Sequence, residues 1–204
     1  MDEKAITRAL ELSRNLDGVS RRRDKFPVGL PGELDVILLA RYGAAVNGRG
    51  VVFVPDEHTV GKVEKVASWM KGSPRKGLLL FGTLGNGKTT MLRALKSYLG
   101  GYAFYCSAQD VYDYFRKNMC LPDISPRDVL LLDDLGGEAP ALNDYGTMRS
   151  PLAELLLSRY ASDSTTIITS NLSGSQIEST YGDRVGDRFR EMFESIRYTH
   201  PSYR

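Results

Sequence analysis

Cysteine is scarce in this chain: Cys106 and Cys120 are the only two among 204 residues, at a spacing that matches no metal-ligand or redox pair. That excludes a disulfide scaffold, and both thiols are read as reduced, largely packing residues of a cytoplasmic protein. Long apolar runs are missing as well. No stretch approaches the ~20 residues that a bilayer-spanning helix needs. The N-terminal "MDEKAITRALELSRNL" alternates charge with apolar residues at helical spacing, unlike the unbroken apolar core of a secretory signal. No membrane partner is expected. Neither sign of charge dominates: 27 basic against 25 acidic residues leave a net +2, too small to imply nucleic acid without a local patch. Internal repeats and low-complexity tracts are also absent.

What is present is an ordinary globular composition, 42% hydrophobic and 25% charged, in a chain long enough for one well-buried domain and a small appendage. Ile6, Leu10, Leu12 and Leu16 lie among charges and predict an amphipathic helix that "DGVS" breaks. The basic cluster "RRRDK" follows, then the breaker "FPVGLPG" and a second helical pattern, "ELDVILLARYGAAV". A boundary near residues 47–54 separates a helical N-terminal region, 1–50, suited to binding a partner, from the remainder, 51–204. Val60, Val63, Val66 and Trp69 fall on one face of a third helix, ended by Gly72 and Pro74. From there short apolar strands, at 77–82, 102–106, 129–134, 165–170 and 195–200, alternate with helix-length stretches. This pattern predicts an α/β fold with a mostly parallel sheet and crossover helices.

"FGTLGNGKTT" sits where the first of these strands meets a helix. Gly82, Thr83, Leu84, Gly85, Asn86, Gly87, Lys88 and Thr89 fit the spacing in which glycines let backbone N–H groups close around phosphates. The lysine reaches the β/γ-phosphates and the hydroxyl holds Mg²⁺. A chance glycine turn does not explain the context, because the loop feeds "TTMLRALKSYL", whose N-terminus carries a partial positive charge toward the phosphates.

A phosphate loop needs a carboxylate to complete its magnesium site, and "VLLLDDLGGE" supplies two at the carboxyl end of a strand buried on both faces. Asp133 is assigned to Mg²⁺ and Asp134 to the general base that orients and deprotonates the attacking water. Without the strand and the loop, "DD" would read as a turn or helix cap. "TTIITSNLS" ends a further strand at Asn171, whose amide suits a γ-phosphate or water, although a lone Asn there is otherwise a turn residue.

In order and wording these motifs resemble the AAA+ ATPases of the DnaC/IstB type, bacterial helicase loaders and transposition helper ATPases. "GTLGNGKTT", "LLLDDLGGE", "IITSNLS", "YGDRVGDRFREM" and "PSYR" carry the resemblance, across roughly residues 78–204. It implies an AAA+ P-loop fold with a five-stranded parallel sheet, and ATP with Mg²⁺ bound between neighbouring subunits of a homo-oligomer formed in the ATP state. It also implies action on a replicative helicase or on DNA, single-stranded by preference. In these terms Lys88 and Thr89, followed by Thr90, are Walker A residues, and Asp133 and Asp134 are Walker B. Asn171 is sensor 1, Arg188 the arginine finger given to a neighbour's ATP, and Arg204 the sensor 2 arginine. Two positions depart from the pattern: Asp134 stands where the superfamily usually has Glu, and Thr90 where members often carry His.

Arg184, Arg188 and Arg190 lie among carboxylates, a pattern that more often marks a solvated helix face. Arg188 is favoured because a planar, permanently charged guanidinium suits charge on a transferring phosphoryl group, with Arg184 in reserve. Arg21, Arg22 and Arg23 have no interleaved aromatics for stacking bases and read as solvated surface, with DNA as the alternative. Tyr102, Phe104, Tyr105, Tyr112, Tyr114 and Phe115 read as core and flank, and Trp69 as a packing residue rather than an adenine wall. Two rival functions remain: a small-molecule phosphotransferase, disfavoured by a loop some eighty residues into the chain, and a nucleotide-gated adaptor with negligible turnover.

Overall fold

The computed structural model describes residues 2–16, 33–125, 129–144 and 146–199. Arg21, Arg22, Arg23 and Arg204 therefore lie outside the described residues. The chain divides into two compact units, Met1–Pro74 with Gly87–Tyr102, and Arg75–Asn86 with Ala103–Arg204.

The first unit is helical, with α1 at Glu3–Leu16, α2 at Leu34–Asn47, α3 at Glu57–Gly72 and α4 at Lys88–Leu99. Helix α2 is apolar nearly all round and buries Leu34, Val36, Leu38, Leu39 and Tyr42, because α1, α3 and α4 all pack on it. Asp56 starts α3 by accepting the Thr59 amide and hydroxyl, each at 2.9 Å. Val63, Val66 and Trp69 then fill its buried face, as the spacing predicts, while Val60, expected beside them, is only half-buried.

The second unit holds β1 (Gly77–Gly82), β2 (Ala103–Ser107), α5 (Ala108–Asn118), β3 (Val129–Leu135), β4 (Leu142–Asp144) and β5 (Thr147–Arg149). It continues with α6 (Pro151–Ala161), β6 (Thr166–Ser170), α7 (Gly174–Tyr181), α8 (Asp183–Met192) and β7 (Phe193–Tyr198). Five strands form one sheet in the order β2-β3-β6-β1-β7, every neighbouring pair parallel. Its central strands are unbroken apolar runs because both faces are buried: Leu78, Leu79, Leu80, Leu130, Leu131, Leu132, Ile167 and Ile168 have essentially no exposed surface. On one face Leu79, Leu130, Leu132 and Ile168 share a core with Val111, Leu152, Leu155, Phe189 and Met192 from the helices. Capping boxes fix two helix starts, Ser107 with Asp110 at α5 and Ser173 with Gln176 at α7. No described helix is long and apolar enough to cross a membrane.

The α/β class and the five parallel strands match the expectation, with local corrections. The last strand runs Phe193–Tyr198 rather than 195–200, because α8 passes into it with no loop and Phe193 stacks on Phe189, centroids 4.0 Å apart. Tyr102 belongs to a 3-10 turn, not to β2. The β4–β5 hairpin was not anticipated. Its strands are too short for an alternation signal, and Arg149 secures it by bonding Asp144 at 3.5 Å and Glu154 at 2.6 Å while lying 4.5 Å from the Phe115 ring centroid. Of the aromatic stretch only Phe115 is fully buried, whereas Tyr102, Phe104, Tyr105 and Tyr114 are exposed on or beside the edge strand.

Cys106 packs in the core, but Cys120 is exposed just past α5, which corrects its reading as a packing residue. Burial pushes the Cys106 thiol up to about 12, so almost none of it is thiolate at neutral pH. A thiol-disulfide reagent at pH 8 should therefore modify Cys120 promptly and Cys106 only after unfolding in denaturant. Two fast-reacting thiols in the native protein would contradict this packing.

Candidate functional site

The sheet register brings three sequence-predicted segments to one edge. Phe81 of β1 pairs with Ser170 of β6, and Leu135 of β3 pairs with the same Ser170, so Gly82, Asn171 and the Asp133–Asp134 pair emerge together at the carboxyl ends of adjacent strands. That is where ligands bind in open parallel sheets.

The two aspartates differ in surroundings. Asp133 is 8% exposed, and its carboxylate accepts the Thr169 hydroxyl on Oδ1 at 2.5 Å and the Tyr105 hydroxyl on Oδ2 at 2.8 Å. Asp134 is exposed and adopts φ +59°, where the pairing of β3 with β6 slips between Leu132 and Leu135. Its amide donates to Thr169 Oγ1 at 2.8 Å, and its Oδ1 accepts the Asn171 side-chain amide at 3.4 Å. One carboxylate is thus fixed and shielded, while the other faces solvent beside a hydrogen-bonding amide. Two adjacent carboxylates therefore stand in unlike environments.

The glycine loop spans both units, crossing at the Asn86–Gly87 bond, and each part is described by itself. In the second unit Gly82 has φ +142°, and a Cβ there would lie 2.2 Å from the Tyr198 carbonyl oxygen, so only glycine fits. Asn86 is buried, and its side-chain amide donates to that same carbonyl at 2.8 Å. Thr83 and Leu84 are exposed at the tip, and Gly85 has φ +80°. In the first unit Gly87 opens α4 with φ +92° and no side-chain cap, and an added Cβ would meet the Tyr42 hydroxyl at 2.1 Å. Lys88 is buried, Thr89 half-buried, and Thr90 buried with its hydroxyl accepting from Arg49 at 3.2 Å. Gly87, having no side chain, cannot cap the start of α4, and a helix start carries a partial positive charge that favours an anion.

Arg188 is apart from this edge cluster. It projects from α8 into an open cleft of about 620 Å³ lined by Arg75, Arg184, Asp187, Arg190 and Glu191. Its guanidinium lies 4.9 Å from the Tyr160 ring centroid and bonds Glu191 at 3.2 Å. The Tyr160 hydroxyl donates to Glu191, holding that carboxyl below its ordinary value and raising its own phenol.

Among the described residues no cluster of three or more His, Cys, Asp or Glu side chains is arranged to hold a metal by itself. A magnesium nucleotide fits what is there, since Mg²⁺ is bound through one or two carboxylates, phosphates and water rather than by an all-protein cage. Asp133 meets the first need, and Gly82 and Gly87 each leave no room for a Cβ.

A parallel five-stranded sheet in this order, with the glycine loop after β1 and two aspartates near the end of β3, defines the P-loop fold of AAA+ type. The solved structures most usefully compared share it. DnaI is 21% identical, with 76% of this chain and 89% of the DnaI chain covered at a TM-score of 0.54. AMPPCP-bound DnaA from Aquifex aeolicus is 20% identical over 72% of this chain at a TM-score of 0.52, and this chain spans about half (48%) of that one. Domain III of the Thermotoga maritima replication initiation protein DnaA is 14% identical, with 74% of this chain and 65% of its own covered, at a TM-score of 0.52. No family model and no curated protein matches the chain. The fold is therefore that of the DnaC/DnaI-type AAA+ proteins.

Reading the sequence missed Thr169 and Tyr105. Thr169 had a signal, a hydroxyl inside a strand buried on both faces, which must find a partner. Tyr105 had none, because its contact is made across strands. Thr169→Val should leave the Asp134 amide and one Asp133 oxygen without their partner, costing about 1–3 kcal/mol of stability. Thr169→Ser, which keeps the hydroxyl, should cost clearly less. Urea denaturation measures both, and equal midpoints for Val and the parent would contradict the bonding described.

Proposed function

We propose that the protein is an ATPase that binds MgATP, assembles with like subunits and uses the nucleotide state to grip or load a replicative helicase or another DNA-bound complex. The observation that carries this reading is the convergence of Gly82, Asp133, Asp134 and Asn171 at one sheet edge, with the two carboxylates in unlike environments.

In this reading the loop amides from Gly82 to Gly87 and the start of α4 receive the phosphates, Lys88 neutralises the β/γ oxygens, and Thr89 and Asp133 hold Mg²⁺. The metal, when bound, supplies charge neutralisation at the transferring phosphoryl group. Asp134 accepts the proton of the attacking water, and Asn171, already bonded to it, orients that water. Arg204 is assigned to the nucleotide as sensor 2 by resemblance. The region 1–50 is assigned to partner binding, and DNA, single-stranded by preference, completes the proposed partners. The replication initiation protein DnaA, which shares the fold, supports a role in replication. The same motifs fit a transposition helper.

Arg188 tests the reading against a phosphotransferase that completes its site within one chain. As a finger acting in trans it should leave ATP affinity of the isolated subunit nearly intact when changed to Ala, while turnover falls by roughly 10³ to 10⁵, less if hydrolysis is intrinsically slow. Arg188→Ala subunits mixed with Lys88→Ala subunits should regain part of the activity that neither has alone, through junctions pairing a sound loop with a sound finger. Demonstrated co-assembly with no recovery at any ratio would overturn the trans assignment.

A further inference from the structure

Glu138 is a carboxylate with only 7% of its surface exposed, four residues beyond Asp134, and none of the proposed catalytic roles uses it. Burying an ionised carboxylate is costly unless hydrogen bonds replace its water. Both of its oxygens are engaged. Oε2 accepts the Gly136 amide at 3.0 Å, and Oε1 accepts the hydroxyl of Tyr181, itself 8% exposed, in a short bond. Burial, and next the bond to Glu138, push the Tyr181 phenol far above its ordinary value, so it remains a donor at any working pH.

These bonds close a staple around the turn that carries Asp134. The Gly137 amide donates to the Asp134 carbonyl at 3.0 Å. Gly136 lies so close to Leu172 that an added Cβ would sit 2.5 Å from its Cδ1. Leu172 directly follows Asn171, the partner of the Asp134 carboxylate. At the other end, Tyr181 is the last residue of α7, and only Gly182 separates it from α8, which carries Arg188. The left-handed backbone at Asp134, φ +59°, is one that an L-residue keeps only when its surroundings impose it.

We infer that Glu138 is a positioning residue, which with Tyr181 holds the 134–138 turn so that Asp134 meets Asn171 and ties that turn to the α7–α8 junction. The inference rests on the ATPase reading above and deepens it. Glu138 touches neither nucleotide nor water in this scheme and acts only through the turn. Loss of the staple lets the base drift while the glycine loop, Lys88 and Asp133 keep their places. The chemical step should suffer and nucleotide binding should not.

The test compares Glu138→Ala, Glu138→Gln and Tyr181→Phe with the parent in steady-state ATP hydrolysis, each first shown to be folded by circular dichroism. Glu138→Ala should lower kcat by about tenfold to a hundredfold, the scale for small misplacement of a reacting group, with KM for ATP within about twofold of the parent. Glu138→Gln, which can accept from Gly136 and donate to the Tyr181 oxygen, should restore most of the loss. Tyr181→Phe keeps the ring and carries the test if Glu138→Ala fails to fold; it should lower kcat, and the double variant should be no slower than Glu138→Ala. Amide hydrogen exchange supplies a readout free of turnover: residues 136–138 should exchange faster in Glu138→Ala and Tyr181→Phe. Unchanged kcat in folded Tyr181→Phe, or a fall in kcat matched by a rise in KM, would overturn the inference. So would unchanged exchange at the turn. A parent that hydrolyses no ATP would instead remove the ATPase reading, and exchange would still decide whether Glu138 holds the turn.

Discussion

The hydroxyl of Thr169 is the bond on which the arrangement of the sheet edge depends. It donates to the Asp133 carboxylate and accepts the amide of Asp134, so one buried group fixes two consecutive residues whose side chains must do different things. A strand in ideal register would send neighbouring side chains to opposite faces. Here the register slips after Leu132, Asp134 turns left-handed, and Thr169 caps the break. The result is a shielded carboxylate and an exposed one within a single dipeptide.

That difference suits two kinds of chemistry. Asp133 accepts two hydroxyl donors, and the Tyr105 bond fixes its orientation from the edge strand. Asp134 is shorter than the glutamate usual at its position in the superfamily. In the proposed chemistry its reach to a water depends on the left-handed turn that carries it. This is why the buried Glu138 matters to the proposed chemistry at a distance of four residues. Asn171, bonded to the same carboxylate, limits its directions further.

Much of this was legible in the sequence where the physics is local. Val129 to Leu132 read as a strand because four apolar residues in a row fit burial on both faces, and the glycine loop read as a phosphate cradle because its spacing has a steric reason. At Gly82 and Gly87 the structure adds a steric reason of its own, since a side chain would meet the Tyr198 carbonyl at the one and the Tyr42 hydroxyl at the other. What stayed hidden depends on distant pairs. Tyr105 reaches Asp133 across 28 residues and Tyr181 reaches Glu138 across 43, and no periodicity encodes either contact. The start of β7 was misplaced because a helix runs into a strand without a breaker, and Cys120 was misjudged because the residue after a helix end can face either way.

The central claim is that the loop from Gly82 to Thr89 binds the phosphates of ATP, with Lys88 supplying the charge that faces them. Titration calorimetry of MgATP into the parent and into Lys88→Ala tests it most directly. Loss of a charge-assisted hydrogen bond should weaken binding by about 1.5–3 kcal/mol, roughly ten- to a hundredfold in affinity. Equal affinity in the two proteins, or no heat of binding in the parent at millimolar nucleotide, would contradict the account.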